Sequence, residues 1–506
     1  MHSFGFDNTY ARDLPGFYAA VQPAAVPAPR LLFLNEPLAI ELGLDAAALR
    51  GADGAALFAG NVLPEDAQPI AQAYAGHQFG GFSPQLGDGR ALLIGEVIDR
   101  AGRRRDIAFK GSGRTPFSRG GDGKAAIGPM LREVLIGEAM HALRIPTTRA
   151  LAVAATGETV LREVALPGAV LTRVAASHLR VGTFQFFAAR GDLDKLRQLA
   201  DYTIARHDPA LTGTPQQELG LLRAVAERQA KLIAQWMNVG FIHGVMNTDN
   251  MALSGETIDY GPCAFMEAYD PGTVFSSIDH GGRYAYANQP LIARWNLARF
   301  AETLLPLMAS EDDEAAIQQA VAGAMEVIDA FPGLYAAALL QGQRAKLGLF
   351  APAAADDPAD AALADDWLTL LHAQSVDFTL AWRHLADGAA VAAGHEAPLQ
   401  ALFADTAPLR AWLARWRERC ALDEVAGGPP AGERAARMRQ ASPLVIPRNH
   451  RVEEALNAAM HGDDLAPFER LLAAVRRPFD DDPALAPYAE PALPEVTAGF
   501  QTFCGT

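Results

Sequence analysis

The sequence predicts an α+β chain whose sheet-forming residues come first and whose helix-forming residues come last. Three observations carry this expectation. Short apolar and β-branched runs bounded by glycine, such as ALLIGEVID at 91–99 and DIAFK at 106–110, fill the chain up to about residue 175. From about residue 185 the apolar residues recur at helical spacing. Leu221, Leu222, Val225, Leu232, Ile233, Trp236 and Met237 share roughly one face. Alanine is abundant after about residue 300, which favours helix. The implied organisation is a β-rich N-terminal lobe at 1–175, a helical second lobe at 176–345 and a long helical C-terminal extension at 346–506.

Composition sets outer bounds. Half of the residues are hydrophobic and a fifth are charged, the balance of a soluble globular protein. The formal net charge is −16, from 43 basic and 59 acidic residues. No general binding to nucleic acid or to an anionic membrane is therefore expected. Cys263, Cys420 and Cys504 are too few and too scattered for a disulfide framework, which suits a reducing compartment. The start MHSFGFDNTYARDLPG lacks a basic stretch followed by an apolar run, and no apolar run reaches the roughly 18 residues of a bilayer span. A cytoplasmic protein, acting as a monomer, is expected.

The elements follow in order. GFYAAVQPAAVPAP at 16–29 reads as an extended surface run, and PLAIELGLDAAALRG at 37–51 as a short helix closed by Gly51. PIAQAYAGHQFGGFSPQLGDGR at 69–90 is dense in glycine and aromatic residues; its His77 reads as a structural hydrogen-bonding residue. The closing turn Gly87-Asp88-Gly89-Arg90 lets backbone N–H groups approach a phosphate closely. The next strands are ALLIGEVID and DIAFK, the latter ending on Lys110. GSGRTPFSRGGDGKAAIG at 111–128 then sets Arg114, Arg119, Asp122, Gly123 and Lys124 among six glycines, as a phosphate cradle or a solvated loop. Pro129 opens a helix that ends before Pro146. It carries Glu133 and Glu138, either of which could pair with Lys110. Residues 147–177 read as strand, reversal at Gly157-Glu158, strand and a further strand. Arg173 and Arg180, seven residues apart around a strand end, suit bidentate phosphate binding.

The chemistry concentrates at 240–261, GFIHGVMNTDNMALSGETIDYG. A long helix should stop at Gly240. His243, Asn247, Asp249 and Asn250 share one short loop. MAL, SGE and TI read as strand, turn, strand, a hairpin that brings Asn250 and Asp259 to one point with Asp249 beside them. Hard oxygen ligands converging in this way suit Mg²⁺ or Mn²⁺. The stretch resembles the catalytic loop and metal site of protein-kinase-like phosphotransferases. His243-Gly244 opens the loop, Asn250 has the expected spacing, and Asp259-Tyr260-Gly261 stands for Asp-Phe-Gly. Val245 occupies the position of the usual base, so Asp249 is the nearest candidate. The resemblance implies a protein-kinase-like two-lobed fold in which Lys110 pairs with a helix glutamate. CAFMEAYDPGTVFSSIDHGGRYAYANQP at 263–290 matches an activation or substrate loop. Beyond it lie amphipathic runs. Trp367, Trp382, Trp412 and Trp416 read as core residues, APAAADDPADAALADD at 351–366 as a linker and IPRNHRVEEAL at 446–456 as a helix start.

Taken together, QAYAGHQFGGFSPQLGDGRALLIGE, FKGSGRTPFSRGGDGKA, HGVMNTDNMALSGETIDYGPC and IPRNHRVEEAL make the chain resemble the selenoprotein O family over nearly its whole length. The resemblance implies a kinase-like fold with adenylyltransferase activity. AMP, or UMP, would move from ATP, or UTP, to Ser, Thr or Tyr hydroxyls of proteins, with pyrophosphate released. The nucleotide would lie reversed relative to ordinary kinases. Asp249 would be the proton acceptor, and Asn250 and Asp259 the ligands of Mg²⁺ or Mn²⁺. Lys110 would bind phosphate and pair with Glu133. Gly87, Gly89, Arg90, Asp122, Gly123, Arg173 and Arg180 would line the nucleotide site. Lys110, Arg173 and Arg180 could supply a positive pocket for the outer phosphates, away from the metal. Cys504 falls where relatives carry a terminal cysteine or selenocysteine, yet TVFSSID at 273–279 offers it no cysteine to pair with. Two other functions fit the kinase-like parts alone: an ordinary γ-phosphate kinase and a non-catalytic nucleotide-binding scaffold.

Overall fold

A computed structural model of the chain describes residues 3–310, 312–352, 358–389, 396–497 and 499–503. It is sheet-rich in its N-terminal part and helical in its C-terminal part. The main sheet is antiparallel, with the strands in the order Tyr18–Ala20, Ile70–Gln72, Ala91–Ile98, Arg104–Lys110, Ala165–Ala175, Arg149–Leu161 and Arg30–Leu34. Ala125–Ala126 adds to Ala165–Ala175.

Alternation along the strands sorts the two faces. Ile107 and Phe109 point to one side, packing with Leu92, Ile94, Val170 and Val174 beneath the helices Glu36–Glu41 and Gly51–Phe58. Ala108 and Lys110 point to the other. There Leu171 lies opposite Lys110 and Arg173 opposite Ala108, so Lys110 and Arg173 are diagonal neighbours on one face. The helix Ile127–Ala142 covers this face through Leu131, Val134 and Leu135.

Three local readings need correction. Gly51 opens the helix Gly51–Phe58 instead of closing its predecessor. The earlier helix ends at Gly43, whose positive φ of 82° supports bonds from Gly43 N–H to Ile40 and from Leu44 N–H to Ala39. Gly157 does not reverse the chain. It lies inside Arg149–Leu161 at φ 75°, where a β-carbon would come within 2.5 Å of Ala28, and the reversal falls at residues 162–164. Finally, 251–258 is not a self-paired hairpin. Ala252 bridges to Arg180 and Thr257 to Thr147, so its two arms are satisfied by different partners.

The helical part is organised on Gln217–Val239, which stops at Gly240 with φ 72° as expected. Gln289–Met308 and Glu314–Leu347 pack against it. Against the expectation that no run is long enough to span a bilayer, Glu314–Leu347 is 34 residues long and apolar enough by composition to cross a membrane, with 22% of its most apolar window buried. Trp367, Trp382, Trp412 and Trp416 are buried, as expected of core residues. Of the expected linker, residues 353–357 lie outside the described residues, and 358–366 belong to the helix Pro358–Ala373.

The helices Asn449–Gly462 and Ala466–Val475 return to the sheet-rich part and bury Val452, Leu456, Phe468 and Leu472 against Ile127–Ala142. Arg476 reaches Glu138 at 2.7 Å, and Arg149 reaches the same carboxylate at 2.6 Å. Arg448, fully buried, anchors this return. It donates to Asp377 at 2.6 and 3.1 Å, to Glu267 at 3.0 Å and to the carbonyl of Ala489 at 2.9 Å. Arg448→Met is expected to destabilise the fold by about 3–5 kcal/mol, because it leaves two buried carboxylates unpaired. Equilibrium denaturation of the variant measures this directly.

Candidate active site

A cleft of about 760 Å³ opens between the sheet and the loop that follows Gly240. Its floor is an ion cluster. Lys110 Nζ donates to Glu133 Oε2 at 2.7 Å and to Asp259 Oδ1 at 3.0 Å. Arg173 spans the same two carboxylates, to Glu133 Oε1 at 2.6 Å and to Asp259 Oδ1 at 2.5 Å. Arg180 lies 3.5 Å from Asp259 Oδ2 and donates to the carbonyl of Asp249 at 2.9 Å. Its guanidinium also covers the ring of Tyr74 at 4.6 Å. Burial opposes ionisation of Glu133 and Asp259, but the charges of Arg173 and Lys110 outweigh it. Both carboxyls are held below their usual range, Asp259 well below. Glu133, not Glu138, is thus the lysine's partner. All three cations also meet Asp259, so they do not form a pocket apart from the expected metal position.

His243 fixes the geometry of the loop. Its Nδ1 accepts from Val245 N–H at 3.3 Å, which leaves Nε2 to donate to the carbonyl of Ile258 at 2.9 Å. Burial lowers its pKa, in keeping with this neutral form. The ring therefore ties the start of the loop to the residue before Asp259. Asp259 is left-handed, at φ 62°, a conformation that aspartate tolerates better than bulky residues.

Asn250 donates from Nδ2 to the carbonyl of Val245 at 3.0 Å. Asp249 accepts at Oδ2 from Gln78 Nε2 at 3.2 Å, while its buried Oδ1 has no partner. Burial pushes its carboxyl up to about 6, against the pull of Arg180. Two glycines make its niche. A β-carbon on Gly76 would lie 2.5 Å from Asp249 Oδ1, and one on Gly182 would lie 2.1 Å from the carbonyl oxygen of Ala75.

Among the described residues, no three His, Cys, Asp or Glu side chains gather as a self-sufficient metal site. The Asn250 amide and the Asp259 carboxylate, both lining the cleft, are hard oxygen donors. They fit Mg²⁺ or Mn²⁺ if phosphate and water complete the shell.

The glycine loops contribute differently from the expectation. Gly87, Gly89, Arg90, Asp122 and Gly123 all line the cleft. However, Gly89 N–H donates to the carbonyl of Gly87 at 2.8 Å, and Asp88 N–H to that of Gln72 at 2.9 Å, so neither is open to a phosphate. A β-carbon on Gly87 would strike the Phe117 ring at 2.3 Å, and one on Gly89 the Phe117 carbonyl at 2.9 Å. These glycines let one loop lie on the other. Gly123 is required for the same reason, since its β-carbon would fall 2.0 Å from the carbonyl of Gly113. Asp122 accepts a two-pronged bond from Arg162 at 2.9 and 3.0 Å. Arg90, Arg114 and Arg119 line the cleft with no carboxylate partner among the described residues. They give a chain of net charge −16 a local positive rim.

Sequence reasoning missed the reach of the segment around His77. Gly76–Gln78 and Gly81–Ser83 form a separate two-stranded ribbon that crosses to the loop at 243–250. His77 N–H donates to Thr248 at 2.7 Å, Gln78 to Asp249, and Phe79 N–H to Asn247 at 3.1 Å. The dense glycine and aromatic content was the available signal. His77 itself is structural, as expected, with Gln185 2.8 Å from Nδ1. Cys263 is buried, and burial pushes its thiol up to about 11. Cys504 lies outside the described residues, although Thr502 pairs with Ser276 on the 263–290 loop.

The family model described as "Protein adenylyltransferase SelO" matches residues 1–476. A protein nucleotidyltransferase YdiU of Chromobacterium violaceum is 62% identical over 493 residues, covering 97% of this chain and all of that protein. The YdiU of Cereibacter sphaeroides is 59% identical over the full length of both chains. That of Rhizobium etli is 58% identical over 100% of this chain and 98% of its own. The chain belongs to the SelO family of protein adenylyltransferases, the protein nucleotidyltransferases.

Proposed function

We propose that the cleft binds ATP, or UTP, reversed relative to ordinary kinases and moves AMP, or UMP, onto Ser, Thr or Tyr hydroxyls of proteins. The observation that carries this reading is Asp249. It is buried beside Asn250 with one free oxygen, whereas the usual base position holds Val245, which has no proton-accepting group. The acceptor oxygen attacks the α-phosphorus, and the bond from that phosphorus to the oxygen bridging it to the β-phosphorus breaks. Pyrophosphate leaves with the electron pair, and Asp249 takes the hydroxyl proton.

Lys110 and Arg173 hold phosphate oxygens, and Glu133 keeps both cations aimed at them. Arg180 fixes the backbone of Asp249. Asn250 and Asp259 would hold Mg²⁺ or Mn²⁺, which when bound neutralises and aligns phosphate oxygens. Arg90 and its neighbours on the rim favour the leaving polyanion as its charge develops. The proposed fold is the kinase-like two-lobed one, with boundaries near 175 and 345, in a cytoplasmic monomer.

Three outcomes check this reading. With ATP labelled at either the α- or the γ-phosphate, label on protein is expected from the α-sample alone; label from the γ-sample alone would mean an ordinary kinase. Asp259→Ala is expected to lower transfer by about 100-fold or more while circular dichroism stays unchanged; full activity would remove Asp259 from the site. Gly76→Ala presses a methyl group onto Asp249 and is expected to lower kcat by about 10- to 100-fold with ATP affinity nearly unchanged, a split that turnover and equilibrium binding resolve.

A further inference from the structure

The mouth of the cleft carries features that nucleotide binding does not require. The ribbon Gly76–Gln78 and Gly81–Ser83 reverses through Phe79 and Gly80, at φ 50° and 87°. Glycine is at ease there, but a phenylalanine is strained. The surroundings hold it in place. Phe79 N–H donates to Asn247 Oδ1 at 3.1 Å and lies 3.2 Å from the Tyr284 hydroxyl, and the two rings stand 5.0 Å apart.

The strained ring is nonetheless 37% exposed, and it follows Gln78, which donates to Asp249. Phe82, across the ribbon, is 43% exposed, and Ile278, from the facing loop, is 52% exposed. Phe79 and Ile278 both line the cleft. Beside them the Arg283 guanidinium stacks on Trp295 at 4.8 Å. It has no carboxylate partner among the described residues, and its Nε is buried without a hydrogen bond.

We propose that Phe79, Phe82 and Ile278 form the platform that seats the acceptor segment of the protein substrate. This rests on the reading of Asp249 as the group that receives the acceptor proton. A protein nucleotidyltransferase must bring a protein hydroxyl to that carboxylate, and the ribbon is bonded to it. Three exposed apolar side chains beside one unneutralised arginine complement an extended segment with a bulky apolar residue and an acidic residue close to its hydroxyl. In a chain of net charge −16 such a segment needs a local cation, and Arg283 at the mouth of the cleft also aids its register.

The test uses the full chain carrying Phe79→Gly, Phe82→Ser and Ile278→Ser together. Glycine suits the positive φ at 79, so the ribbon should persist. Transfer of α-labelled phosphate from ATP to cell-extract proteins is measured beside ATP affinity, and the wild-type protein's modified sites are mapped by mass spectrometry. We expect the variant to lose at least about tenfold of the label with ATP affinity within about twofold. The mapped hydroxyls should be enriched in apolar and acidic neighbours. Undiminished labelling by the variant, or sites without that enrichment, overturns the platform alone. Wild-type protein that binds ATP and labels nothing overturns the assignment of Asp249, and the platform falls with it.

Discussion

Two carboxylates, Glu133 buried and Asp259 partly exposed to the cleft, and three cations join the parts of this molecule. Glu133 and Asp259 sit among Lys110, Arg173 and Arg180, and each carboxylate takes bonds from both Lys110 and Arg173. The members come from a strand, its neighbour, the covering helix, a strand-to-helix junction and the segment after the catalytic loop. No one of them could be buried charged alone. The register that sets Lys110 and Arg173 diagonally on one sheet face is therefore a condition for placing Asp259. The C-terminal helices serve the same cluster at a distance, since they press on the helix that carries Glu133.

The cluster also frames the chemistry. Three positive charges around a left-handed aspartate make a place where phosphate oxygens can displace carboxylate oxygens at little electrostatic loss. The positive rim of Arg90, Arg114 and Arg119 extends this field outward in a chain that is acidic overall. Asp249 lies in a different environment. Burial without a full set of donors keeps its carboxyl near 6, whereas cations hold Asp259 far lower. Two neighbouring carboxylates are thereby suited to two tasks, one to take a proton and one to stay charged.

Much of this was legible in the sequence where the determinants are local. The lysine strand, the Glu133 helix, the stop at Gly240 and the buried tryptophans follow from period and capping. What was not legible depends on distant partners. Glu133 and Glu138 differ by about 140° around one helix, and the residues alone left both open. Arg149 and Arg476 settle it by claiming Glu138, and the second of these lies 338 residues away. The expected hairpin at 251–258 failed for the same reason: Ser254-Gly255 does turn the chain, but Leu179 and Pro146 satisfy its arms. Gly87 and Gly89 read as phosphate-binding glycines, while Phe117, whose ring demands the first and whose carbonyl demands the second, comes some thirty residues later. Membership of the SelO family, by contrast, was carried by motifs spread over the chain and agrees with the comparisons.

The orientation of the nucleotide is the central claim, and a crystal structure with a non-hydrolysable ATP analogue and Mn²⁺ tests it most directly. The predicted result is an α-phosphate beside Asp249, with the β- and γ-phosphates on Lys110 and Arg173. A γ-phosphate beside Asp249, with the α-phosphate toward the glycine loops, would contradict it.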